Sequence, residues 1–240
     1  MRRLFALLAM VVPTLNAAAA TITFQEGFGA YTGTTSLSIA QGSPNSALTG
    51  KTAQVDQRTT TYGGNGEAQL LLRFDDLFGT TAIPAGATIQ NATLRLYTVG
   101  GTAGVVELYR MNTAWTTAST WNSLGAGITT GIDTPASPEA RITAPAVKTT
   151  ATFDVTASLQ AWRAGQTNNG WALVTDSLDN WAAQTELYTS RNQTTLALHR
   201  PLLTVSYLPA VPSAPVPVPP AIWLLVSGVV FLSARRKALG

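Results

Sequence analysis

The sequence predicts an all-β protein built as two packed antiparallel sheets with one short helix. Three observations predict it. Short runs of alternating apolar and polar residues recur along the chain, separated by turns rich in Gly, Asn, Ser and Pro. The stretch FDVTASLQAWRAGQTNNGWALVT at 153–175 reads as strand, helix, turn, strand. Everything that is uniformly apolar lies at the two ends, which leaves the alternating body between them.

In chain order, Arg2 and Arg3 precede an apolar run over residues 4–15, and small residues follow at Ala17–Ala20. This charged, apolar, small-residue order is that of a secretory signal peptide over 1–20, with the mature chain starting near Thr21. Residues 21–66 hold brief alternations such as Leu37/Ile39 between turns at Gly42-Ser-Pro44 and Gly63-Gly64, so strands there are short and near an edge. Leu70, Leu72 and Phe74 alternate against Leu71, Arg73 and Asp75, which predicts a strand with one face buried more deeply than the other. Ala92, Leu94 and Leu96, then Gly100-Gly101, then Val106 and Leu108 predict a hairpin. A long Thr-, Ser- and Gly-rich excursion from Trp115 to Gly131, extended by Asp133 to Pro145 with three Pro, is expected to loop over one end of the sheet.

In the stretch at 153–175, Phe153 and Val155 share a strand face, Thr156 is placed to cap a helix, Leu159 and Trp162 point the same way, and Gly165 closes it. A helix of about two turns does not stand alone in water, so Trp162 has to lean on a sheet. Asn168, Asn169 and Gly170 then turn the chain into a strand at Trp171, and closing strands follow at 185–190 and 202–207. The body over 21–209 reads as one domain. Residues 210–220 are a Pro-rich linker, and 221–240 carry an apolar helix of 14 residues, shorter than the roughly 20 that span a bilayer, followed by Arg235, Arg236 and Lys237.

The charge argument changes once the ends are set aside. Five of the 15 Lys and Arg residues lie in them, leaving ten against 12 acids, so the body is slightly acidic and a nucleic-acid surface loses its support. There is no Cys, which removes thiol nucleophiles and thiolate metal sites.

Two resemblances rest on particular segments. LLLRFDDL (70–77), IPAGATIQNATLRLY (83–97), Trp115 with Thr120-Trp121-Asn122, FDVTASLQAW (153–162), NNGWALV (168–174) and RPLLTVSY (200–207) resemble, in that order, the DNRLRE family. The resemblance implies a secreted jelly-roll β-sandwich, grouped with carbohydrate-binding modules that include binders of acidic polysaccharide. Residues 34–46 depart from the family, where an Asp commonly opens the first motif. The tail VPVPPAIWLLVSGVVFLSARRK (216–237) resembles a PEP-CTERM sorting signal, with Pro217, Pro219 and Pro220 before the apolar helix and Arg235, Arg236 and Lys237 after it. That implies export through the Sec machinery, transient insertion in the inner membrane, and release by an exosortase to the surface or biofilm matrix of a Gram-negative bacterium. A plain membrane anchor is the alternative.

Side chains able to carry chemistry are few. His199 is the only His, without a Gly-x-Ser-x-Gly elbow or a metal-binding spacing around it, and reads as a rim residue. Asp75 and Asp76 are adjacent, and neighbours on a strand point to opposite faces, which disfavours joint acid–base work. Asp176, Asp179 and Asn180 form a turn whose oxygens could collect Ca²⁺ or simply shape the turn, and no other cofactor is expected. Trp115, Trp121 and Trp181 lie in or beside loops and are the candidate sugar platform, the alternative being that they close the open ends of the sandwich. Arg141 and Arg191, with Lys51 and Arg58, could pair with uronate carboxylates beside those rings. The expectation is a non-catalytic polysaccharide-binding protein, with a structural matrix protein or a polysaccharide lyase or hydrolase as rivals.

Overall fold

The computed structural model describes residues 18–49, 52–55, 66–101, 105–143, 149–175, 185–188 and 199–210, which all fall within one compact unit, Ala17–Ala210. Asp176, Asp179, Asn180, Trp181, Arg191, both apolar ends and the sorting motif lie outside the described residues. Among the described residues no helix is long and apolar enough to cross a membrane.

Eleven strands and one α-helix follow one another as β1 (Ala20–Gln25), β2 (Thr34–Ala40), β3 (Thr52–Val55), β4 (Ala68–Phe74), β5 (Thr88–Gly101), β6 (Val105–Arg110), β7 (Ala140–Thr143), β8 (Thr150–Asp154), α1 (Thr156–Arg163), β9 (Trp171–Thr175), β10 (Thr185–Tyr188) and β11 (Leu202–Leu208). The first sheet runs β1-β11-β5-β10-β3, with β8 on the other side of β5. The second runs β2-β4-β9-β6-β7, and every pairing in both is antiparallel. Leu94, Leu96, Phe153, Leu203 and Val205 from the first sheet meet Leu70, Leu72, Phe74, Leu108, Trp171 and Leu173 from the second in one core. Because strand side chains alternate, these residues leave the polar partners of the first sheet, Thr93 and Arg95 among them, on its outer side.

The alternation across 92–108 predicts a hairpin, and the structure corrects this. β5 belongs to the first sheet and β6 to the second, so the two are not paired neighbours. Apolar alternation specifies which face of each strand is buried and carries nothing about which strand lies beside it.

β4 departs from expectation in the same way. Leu71 is as fully buried as Leu70 and Leu72, because the second sheet is covered on both faces. Its outer face presents Leu37, Ile39, Leu71 and Ala172, and the excursion at 112–134 lies against them with Trp115, Trp121 and Ile128. That segment covers a sheet face rather than an end. Gln69 pins it: its side-chain oxygen accepts from the Ile128 N–H at 2.6 Å and its amide nitrogen donates to the Ile128 carbonyl at 3.2 Å. A buried amide that satisfies a loop residue in both directions holds that residue as a neighbouring strand would.

Helix α1 rests on β5. Leu159 and Trp162 are buried as predicted, and Trp162 meets Trp171 with ring centroids 4.8 Å apart. The cap differs from expectation. Asp154 Oδ1 accepts the Thr156 N–H at 2.9 Å, while the Thr156 hydroxyl accepts the Ala92 N–H at 2.9 Å and ties the helix to the sheet. Gly165, at φ 102°, donates its N–H to the Trp162 carbonyl and ends the helix.

Candidate functional site

The turn between β1 and β2 is the sequence EGFGAYTG, residues 26–33. Gly27, Gly29 and Ala30 all adopt left-handed backbone, at φ 74°, 56° and 64°. Three such residues in four positions curl the chain tightly: Phe28 N–H reaches the Gln25 carbonyl, Tyr31 N–H reaches that of Phe28, and Gly27 N–H closes on that of Tyr31 at 2.7 Å. The curl turns Phe28 outward, 65% exposed, and Tyr31 inward.

Tyr31 continues an aromatic series through the core. Its ring stacks on Phe74 at 6.2 Å, Phe74 meets Trp171 at 6.3 Å edge-on, and Trp171 meets Trp162. The Tyr31 hydroxyl donates to the Asp75 carbonyl at 2.8 Å, and Asp75 N–H donates to the Gly33 carbonyl at 2.8 Å. The turn is therefore clasped to the segment after β4. There Asp76 is held at φ 54° and is exposed, with Thr81 and Ala82 beyond it.

Between these two walls, along the edge of β1 that faces away from β11, lies a cleft of about 700 Å³. Phe28, Tyr31, Thr32, Asp76 and Thr81 line it. Its size is that of small-molecule and sugar sites, and it combines one exposed ring, several hydroxyls and one carboxylate. Ala30 and Asp76, two of the three left-handed non-glycine residues among those described, stand on its walls. Such conformations cost of order 1–3 kcal/mol each and gather where geometry serves binding. A second depression of about 410 Å³ beside Gln160 and Arg163 has no aromatic lining, and one of about 40 Å³ beside Arg95 and Tyr97 is too small for a sugar ring. Of these three depressions among the described residues, the cleft at Phe28 is the one shaped for a ligand.

Burial is the first cause that pushes the Tyr31 hydroxyl above the usual tyrosine range, and the carboxylates of Asp75, Glu26 and Asp76 add to it. The phenol stays protonated and keeps its bond to Asp75. Asp75 itself is engaged by Arg73, whose Nε lies 2.7 Å from Oδ1. β4 ends at Phe74, so Asp75 and Asp76 do not sit on a strand as expected; one is clamped by a guanidinium while the other lines the cleft.

The predicted site residues that fall among the described ones are placed elsewhere. Trp115 is 3% exposed and Trp121 6%, so neither is an exposed platform. Trp115 Nε1 donates to the Asn169 carbonyl at 2.7 Å, and the Arg73 guanidinium lies 5.3 Å from its ring centroid. Trp121 packs its six-membered ring over Gly127. Both close the outer face of the second sheet, because a loop that covers apolar strand faces needs large apolar side chains of its own. Arg141 is exposed on β7 and pairs with Glu107 at 3.4 Å. His199 is half-buried and stacks on Tyr97. Among the described residues there is no group of three or more His, Asp and Glu able to hold a metal ion.

Glu107 also accepts the Tyr109 hydroxyl at 2.7 Å, and Tyr109 is pushed up to about 12, first by burial and then by Glu107. The unfolded chain ionises its tyrosines near 10, so stability that is whole below that pH is lost as pH rises toward about 12. Tyr31 acts in the same direction. Denaturant titrations between pH 9 and pH 12, with tyrosinate absorbance recorded in parallel, check this expectation.

Sequence reasoning missed Phe28, Tyr31, Thr32 and Thr81. A Phe between two glycines and outside any apolar alternation, in EGFGAYTG, was the available signal. A ring with no strand face to join is a surface ring.

Two antiparallel sheets with an aromatic-rimmed cleft at one edge describe a binding module, and comparison with known families places the chain among the carbohydrate-binding modules. The profile of carbohydrate-binding module family 96 matches residues 39–206, and the chain belongs to that family. No curated protein matches it. The Asp76 wall of the cleft lies within the matched segment and the Phe28 wall precedes it.

Proposed function

We propose that this is an exported, non-catalytic protein that binds polysaccharide at the cell surface or in the biofilm matrix, and that the cleft between Phe28 and Asp76 is its sugar site. The observation that carries the reading is the exposed Phe28 ring on a rigid turn beside hydroxyl-bearing walls, in a chain of a carbohydrate-binding family. The CH face of a pyranose packs on an aromatic ring as other apolar surfaces do, and Thr32 and Thr81 supply donors and acceptors for its hydroxyls.

The jelly-roll reading of the sandwich is supported by strand order. β1-β11-β5-β8 faces β4-β9-β6-β7, which is the alternation of a jelly roll with β2, β3 and β10 added at its margins. Export is supported by the order of charge, apolar run and small residues over 1–20. Cleavage after Ala20 would leave the pairing of Thr21–Gln25 with β11 in place. Sorting by an exosortase, transient membrane insertion and release rest on Pro217, Pro219, Pro220, the apolar helix and Arg235, Arg236 and Lys237.

The test is binding of the full-length protein to a panel of neutral, acidic and amino polysaccharides, repeated with Phe28→Ala. Phe28 is mostly exposed, so the variant should keep the wild-type melting temperature. Its affinity should fall about tenfold, the effect of losing roughly half the burial of an aromatic ring. Wild-type binding that survives unchanged in Phe28→Ala would move the site away from this cleft.

A further inference from the structure

We propose that the cleft selects sugars that carry an ammonium group, as in a glucosamine polymer, with the pyranose face on Phe28 and the amine against Asp76. This rests on the polysaccharide-binding reading above and differs from the acidic polysaccharide that the DNRLRE resemblance implies.

The charge of the cleft carries the inference. No Lys or Arg is among its described lining residues, and Asp76 has no cation paired with it among the described residues. The two neighbouring carboxylates are already engaged: Asp75 by the Arg73 guanidinium, Glu26 through Oε2, which accepts the Thr34 N–H at 3.0 Å. Arg200, which donates to the Glu26 backbone carbonyl at 2.6 Å, is not among the described residues lining the cleft. Arg141, the candidate partner for a uronate, is on β7 at the far edge of the second sheet and pairs with Glu107.

A uronate laid on Phe28 would bring a second carboxylate beside Asp76 with nothing to offset it. An amine there forms a charge-assisted hydrogen bond instead. The slightly acidic body adds no long-range attraction for a polyanion. Asp76 lines the cleft from the left-handed region, where Asp and Asn are enriched among non-glycine residues.

The experiment compares β-1,4-linked glucosamine oligomers, the same oligomers fully N-acetylated, and oligouronates of equal length, by calorimetry on the full-length protein. Three chains are measured: wild type, Asp76→Asn and Phe28→Ala. Asn tolerates the same backbone, so Asp76→Asn folds as wild type does. The free-amine oligomer should bind about two- to fivefold tighter than the acetylated one, as for an exposed ion pair, and the preference should vanish in Asp76→Asn and shrink with added salt. Phe28→Ala should weaken both oligomers.

Equal binding of the two oligomers overturns the proposal, as does a free-amine preference that persists in Asp76→Asn. Free-amine binding that ignores Phe28→Ala would mean charge attraction alone and also overturns it. Oligouronate bound preferentially and lost in Phe28→Ala overturns the amine selectivity while keeping the cleft as a sugar site. No binding by wild type to any oligomer overturns the polysaccharide reading itself.

Discussion

Gly170→Ala is expected to leave little folded protein. Gly170 sits at φ 71°, and a Cβ there would lie 2.2 Å from the Leu72 carbonyl oxygen and 2.8 Å from the Arg73 Cβ. The left-handed backbone costs an alanine about 1–2 kcal/mol, and the overlap with β4 adds about 1–3 kcal/mol. Neither can be relieved locally. Gly170 accepts the Met111 N–H, its own N–H goes to Asn168 Oδ1, and the next residue, Trp171, is fully buried in the middle strand of the second sheet. A loss of about 2–5 kcal/mol is a large part of the stability of a domain of this kind. Gly165→Ala is the matched control. It also has positive φ, at 102°, but nothing lies within 4 Å of its added Cβ, so only the backbone term of about 1–2 kcal/mol applies. Soluble yield and denaturant midpoints of the two variants decide the matter; equal stability would show that β4 yields at Leu72.

Trp115→Ala is expected to cost about 3–5 kcal/mol while leaving the sugar affinity of the folded fraction unchanged. The indole is buried between the outer face of the second sheet and its covering segment, and its Nε1 satisfies the Asn169 carbonyl in the 168–170 turn. Removing it opens a cavity, leaves that carbonyl without its donor and takes the ring from beneath Arg73. Faster proteolysis within 112–134 should accompany the drop in melting temperature, because the covering segment loses its largest anchor. An exposed platform would behave in the opposite way, with stability kept and binding lost. That contrast separates the cover from the platform in one pair of measurements.

The same segment explains how far the sequence could be read. Trp115 and Trp121 lie among Thr, Ser and Gly, a composition that suits an exposed loop as well as a cover. What separates the two is Leu37, Ile39, Leu71 and Ala172, which come from three strands and form one apolar face only once β2, β4 and β9 are paired. Leu71 in LLLRF hinted at this, since a strand buried on both faces loses its alternation. The cleft was less legible still. Phe28 is unusual on its own, but Asp76 reaches the opposite wall through the contacts of Tyr31 and Gly33 with Asp75, more than forty residues away in the chain.

By itself the sequence determined the class of fold, the short helix with Leu159 and Trp162 inward, the turn at 168–170 and most strands, because each depends on the period and turn chemistry of neighbouring residues; β7 lies in a Pro-containing stretch expected to loop. The tertiary structure alone decided that β5 and β6 lie in different sheets, that the second sheet is covered on both faces, and that Phe28 rather than Trp115 or Trp121 offers its ring to solvent. Those outcomes depend on which strand lies beside which. Period-two alternation is the same for every choice of neighbour, so only the assembled sheets distinguish them.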